Sequence, residues 1–167
     1  MLPDQHRYIP GIIATAVTAL VLLYGFFSTV PALAADPLKN ATEEEIWQLE
    51  EAYFTNLYRA DYANVLAHVH PGFLGWPANL PKPINRDESA GFMRLLIPSP
   101  TACAIRVERA GLQQSNETVL TQYTLHVLCP EAAGMPKSQS SRISHTWARQ
   151  QGQWLLLGGM SVDIPPN

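Results

Sequence analysis

From Ala102 onward, apolar and polar positions alternate with a period of two, the pattern of half-buried strands. Cys103, Ile105 and Val107 alternate with Ala104, Arg106 and Glu108. After a break near Ser115-Asn116-Glu117, Val119, Tyr123, Leu125, Val127 and Cys129 alternate with Leu120, Gln122, Thr124, His126 and Leu128. Pairing the two runs predicts an antiparallel hairpin in which Val107 faces Leu125, Ile105 faces Val127 and Cys103 faces Cys129. A second hairpin is predicted from Ser141–Arg149 and Trp154–Ser161 around a turn at Gln151-Gly152. Its register sets Trp147 opposite Leu156, Arg149 opposite Trp154 and His145 opposite Gly158. Gly158-Gly159 predicts a bulge or bend in a strongly curved sheet, and a glycine opposite His145 also leaves room for a cavity.

Before Ala102 the period is helical. Thr42-Glu43-Glu44-Glu45 reads as a capping box opening a helix, after a short leader at 35–41 containing Pro37. Ile46, Leu49, Tyr53 and Leu57 form one apolar stripe of this helix, and Trp47, Phe54 and Tyr58 form its neighbour. Asp61 caps a second helix carrying Tyr62, Val65, Leu66 and Val69, which Pro71 stops. Gly72–Trp76 is a brief strand, and Pro77–Pro83 is a loop. Asn85 or Asp87 caps a third helix through Phe92, Leu95 and Leu96, and Glu131–Gln139 is a further loop.

The first 34 residues read differently. Gly11–Phe27 is an apolar run without a charge, and Pro31-Ala32-Leu33-Ala34 carries the small residues of an A-x-A cleavage site. The expectation is a signal peptide at 1–34, cut before Ala35, with the domain at 42–167. The alternative is a retained membrane anchor. Both put the domain outside the cytoplasm, periplasmic or secreted, where Cys103 and Cys129 can form a disulfide. The chain carries 14 acidic and 11 basic residues, a net charge of −3. It has no basic stripe, so nucleic acid is not an expected partner.

Helices first and long antiparallel strands after predict an α+β fold with helices on one face of the sheet. Three stretches carry a resemblance to a known family: Tyr53 on a capped helix followed by Arg59-Ala60-Asp61, His70-Pro71-Gly72-Phe73-Leu74-Gly75-Trp76, and His145–Ser161 with its turn glycine. In their order and spacing they resemble the NTF2-like superfamily, in particular its small SnoaL-like, DUF4440-type domains, over Thr42–Val162. The resemblance implies a cone, with three N-terminal helices packed on a curved antiparallel sheet around a pocket. It also implies that a homodimer can form through the outer sheet face. Relatives of this kind include isomerases, hydrolases, cyclases, ligand binders and accessory modules, so fold does not decide function.

Enzymes of this fold keep a carboxylate in the cone, often with a Tyr or His, for proton transfer. No carboxylate is placed there by the pattern: Glu108 shares the outer face with Arg106, Glu117 is in a turn, Asp163 is at the chain end, and Asp61 is a cap. His68 and His70 flank a helix end, and His126 pairs with Arg106 across strands. His145 shares a face with Trp147 and Trp154, as a pocket residue or a hydrogen-bonded core histidine. The pocket candidates are His145, Trp147, Tyr53, Tyr58, Trp76 and Tyr123, aromatic surfaces with polar tips that suit a small, largely apolar ligand. No metal site, phosphate loop or nucleophile elbow is present in the sequence, so neither metal nor cofactor is expected. The reading is an exported ligand-binding domain. Its rivals are a proton-transfer isomerase or hydrolase using His145 with a Tyr, and an accessory homodimeric module.

Overall fold

The computed structural model describes residues 37–130 and 138–166, with side chains from residue 42 onward. Helix α1, Pro37–Tyr58, is followed by α2 (Tyr62–Ala67), β1 (Val69–Trp76), β2 (Ile84–Asn85) and α3 (Arg86–Leu96). Four long strands come next: β3 (Ala104–Ser115), β4 (Thr118–Leu128), β5 (Ser138–Gln150) and β6 (Gln153–Ile164). They form one six-stranded sheet in the order β2-β1-β6-β5-β4-β3. The signal peptide expected at 1–34 and most of the loop expected at 131–139 lie outside the described residues.

Local chemistry sets the element ends. Helix α1 closes on Ala60, held at φ 55, with Ala60 N–H donating to Leu57 O and Asp61 N–H to Asn56 O. The Asp61 side chain then accepts from Asn64 N and caps α2. Asn85 opens α3 in a full capping box with Glu88. The β5–β6 turn has positive φ at both central residues, Gln151 (51°) and Gly152 (83°), as a two-residue hairpin turn requires.

The β3–β4 register pairs Val107 with Leu125 and Ile105 with Val127, and a Cys103–Cys129 disulfide closes the hairpin. A bulge between Arg109 and Gly111 shifts the rest of the ladder by one residue. In the last hairpin Trp147 pairs with Leu156 and Arg149 with Trp154, as expected. His145 pairs with Gly159, not Gly158, because a bulge between the Thr146 and Trp147 pairs adds Leu157 to β6.

Three further expectations are corrected. Thr42 does not open α1: the helix begins five residues earlier at Pro37, a residue that suits a first helical turn, so 37–41 are helical rather than a leader. Val69 and Pro71 belong to β1, not α2. Pro71 falls where the β1–β6 register is broken, a place where its missing N–H costs no ladder bond. The sheet is mixed, because β1 runs parallel to β6. The long connection between them, through α3 and both hairpins, permits this direction.

The inner face of the sheet is buried under the helices. Tyr123, Leu125, Val127 and Ile143 pack with Trp47, Phe54 and Leu57 of α1, with Met93 of α3 and with Ile97 just after it. A second cluster joins Ile46 to Val119, Trp147, Trp154 and Leu156. Tyr62 ties α2 to the residue after α3 by donating its hydroxyl to Ile97 O.

Candidate functional site

One face of α1 reads Ile46, Trp47, Glu50, Phe54, Leu57 at helical spacing, and all five are buried. Glu50 is therefore an acid set in the middle of an apolar face, with no solvent exposure at all. Such a group is tolerated only when its oxygens are fully satisfied. Strands β4 and β5 supply the partners. Oε1 accepts from Thr121 Oγ1 at 2.5 Å and from Trp147 Nε1 at 2.7 Å. Oε2 accepts from Tyr123 Oη at 2.7 Å and lies 2.7 Å from His145 Nδ1.

Burial pushes the Glu50 carboxyl up, but the charge of His145 and the hydrogen bonds outweigh it and hold the group below the usual carboxylate range. An ionised Glu50 accepts only, so Nδ1 of His145 carries the proton that points at it. Tyr123 Oη, 3.1 Å from Nδ1, is a second acceptor for the same N–H. Nε2 makes no hydrogen bond among the described residues. It is not sealed in either, since Trp154 Nε1 is the one fully buried side-chain nitrogen or oxygen there without a partner. His145 lines the central cavity, and with Nδ1 on Glu50 its Nε2 is the ring nitrogen left without a partner among the described residues. Gly159 makes this possible: a Cβ at that position would run into the His145 ring and the Ser144 carbonyl.

The cavity, about 170 Å³, lies between the helices and the inner face of the sheet. Its walls are Phe54, Leu57, Phe73, Ile84, Phe92, Met93, Leu96, Leu125 and Ile143, with Ser89, Ser141, Ser161 and Asp163 as polar members. Tyr53 lies edge-on to His145, ring centroids 5.5 Å apart. Burial, then the Glu50 charge, push the Tyr53 phenol up to about 12, so its hydroxyl stays protonated and can donate. Burial and the same carboxylate raise Tyr123 well above its ordinary value.

Of the residues singled out from sequence, His145, Tyr53, Tyr58 and Trp76 line the cavity. Trp147 and Tyr123 do not. They lie behind His145, 0% and 2% exposed, with their polar atoms on Glu50. His68 is exposed at the end of α2, and His126 bridges Glu108 and Ser140 on the outer face. Glu50 was missed altogether. Its signal was available: four residues after Ile46 and four before Phe54, it interrupts an apolar stripe. Asp163, read as a chain-end residue, lines the cavity instead. Among the described residues, no cluster of three or more His, Cys, Asp or Glu could hold a metal ion.

No protein-family model matches the sequence, and no curated protein does. Solved structures do match in shape. A candidate dehydratase from the NTF2-like family of Streptomyces avermitilis superposes with a TM-score of 0.66 at 13% identity, covering 77% of this chain and 99% of that one. A ketosteroid isomerase-like protein from Erwinia carotovora atroseptica SCRI1043 gives 0.59 at 17% identity, covering 72% and 95%. The association domain of C. elegans CaMKII gives 0.65 at 12% identity, covering 76% and 99%. These superpositions identify the fold: this chain is an NTF2-like α+β cone.

Proposed function

We propose that the domain binds a small, largely apolar molecule in the cone and moves a proton on it through His145 Nε2. The observation that carries this reading is the 2.7 Å contact between His145 Nδ1 and a fully buried Glu50 that three further donors saturate. With Nδ1–H committed to Glu50, Nε2 is the ring nitrogen left for the cavity, and in the neutral form of the imidazole it carries the lone pair that a general base requires. A proton taken there creates an imidazolium directly opposite the Glu50 carboxylate, and the same nitrogen can return the proton to another ligand atom. Tyr53, neutral and beside the imidazole, is placed to donate to a carbonyl or hydroxyl oxygen. Isomerisation by proton relocation and elimination of water both fit this arrangement. The fold neighbours described as a candidate dehydratase and as ketosteroid isomerase-like support the same class.

The test is proton exchange. A panel of cyclic ketones and enones is incubated with the protein in deuterated water, and wash-in at carbon is followed by NMR. Catalysed exchange that falls about 100-fold or more in His145→Ala, with ligand retention intact, is the expected result. Equal exchange by wild type and variant removes the proton-transfer role.

Two properties of the whole protein belong to the same proposal. The domain is exported, and it pairs with a second copy through the outer sheet face, where Leu120, Leu128 and Val162 are exposed. The association domain among the fold neighbours supports the pairing.

A further inference from the structure

The cavity is polar at two separated places. His145 lies on β5 opposite Gly159, and Ser141, four residues along the same strand and on the same face, lies opposite Asp163. Four residues of strand span about 13 Å. Between the two, the lining carries Ile143 and, opposite it on β6, Ser161, whose Oγ accepts from Ala78 N–H. Among the described residues, Asp163 is the one carboxylate of the lining, and no Lys or Arg belongs to it. Asp163 Oδ1 accepts from Ser141 Oγ at 2.8 Å and from Gln139 Nε2 at 3.2 Å. Among the described residues, no hydrogen bond reaches Oδ2 and no basic group pairs with the carboxylate. The two donors hold the group in one orientation at the edge of the cavity, with one acceptor oxygen unused. Its charge also reaches the half-buried Tyr58 hydroxyl, which burial first and Asp163 second push up, so that phenol stays neutral.

We infer that the ligand is an apolar molecule with a hydrogen-bond-donating head, an ammonium or a hydroxyl, which Asp163 receives at one end of the cavity while His145 meets the other end. A carboxylate or phosphate head is disfavoured there, because it would face Asp163 with no cation among the described lining residues to offset the repulsion. The inference rests on the cavity being a ligand site, and it assigns Asp163 the selection of the head group independently of any proton transfer.

The experiment uses the protein as purified from its own cells and a neutral fluorescent apolar probe. Octylamine, octanol and octanoate, alike in chain and different in head, compete for the probe at low salt and neutral pH. Octylamine should displace it at a concentration on the order of tenfold lower than octanoate, since attraction and repulsion at an exposed carboxylate each contribute a few-fold. Octanol should fall between. In Asp163→Asn the three should converge to within about threefold, while Asp61→Asn, an acidic-to-amide change at a helix cap outside the cavity lining, should keep the wild-type order. Octylamine and octanol ahead of octanoate by equal margins would assign Asp163 a hydrogen bond rather than a charge contact, within the same inference. Octanoate binding as well as octylamine in wild type, or an unchanged order in Asp163→Asn, overturns the inference and leaves the His145 reading standing. Failure of all three to displace the probe removes the cavity as a ligand site, and both readings with it.

Discussion

At the scale of single residues, the buried carboxylate decides the most. Glu50 holds four donors with two oxygens, and an amide cannot do the same, since its nitrogen would turn donors toward donors. Glu50→Gln should therefore cost about 3–5 kcal/mol in chemical denaturation, the range for breaking a buried charged pair. The sign with pH follows from the Glu50 carboxyl being held below its ordinary value of 4.5 in the folded protein. Its contribution is fully present above the unfolded value and is lost as pH falls through the folded one. Wild type should thus lose its advantage over Glu50→Gln below about pH 4.5, and a gap that stays constant down to strong acid would contradict an ionised Glu50. Gly159 is the second decisive residue. Gly159→Ala presses a methyl group on the His145 ring and the Ser144 carbonyl, and should destabilise by about 1–3 kcal/mol while displacing the imidazole. A variant that melts like wild type and binds the same ligands would show that the ring has room to move.

At the scale of elements, the β3–β4 hairpin is the best-specified piece. The alternation on both strands sets the register from the Arg109–Tyr123 pair to the Ala104–Leu128 pair, one residue out of step with the turn at Asn116 across the bulge, and that register brings Cys103 against Cys129. With the two cysteines 26 positions apart, chain entropy makes the bridge worth about 3 kcal/mol. Cys103→Ser with Cys129→Ser should lower stability by that amount, and denatured, unreduced protein should titrate no free thiol. Two free thiols in material from an oxidising compartment would reject the bridge. The capping box of α3 is also readable from Asn85 and Glu88, and Asn85→Ala should cost about 1 kcal/mol in thermal unfolding. Bulges were harder to place. A single extra residue, Leu157, moves Gly159 rather than Gly158 opposite His145, because a two-residue period flips with each insertion.

At the scale of the whole molecule, the order of elements along the chain carried the architecture: helices whose apolar stripes need a sheet, then strands whose apolar faces need helices. The proposed export is checked by N-terminal sequencing of protein recovered from its host. A start at or near Ala35 is expected, and an intact Met1 in a cytoplasmic pool would contradict it. What the sequence by itself determined was local or periodic: the cap at Asp61, a cap for α3 at Asn85 or Asp87, the β5–β6 register near its turn, the β3–β4 register near the facing cysteines, and an α+β cone. Each follows from neighbours in the chain or from a repeat that one strand or helix displays alone. Only the tertiary structure decided the site. Glu50 on a helix meets Thr121, Tyr123, His145 and Trp147 from two strands, 71 to 97 positions away along the chain. No local pattern records that meeting. The carboxylate is noticeable as a polar interruption in an apolar stripe, but its chemistry comes from donors that only folding brings around it, in a place from which water has been removed.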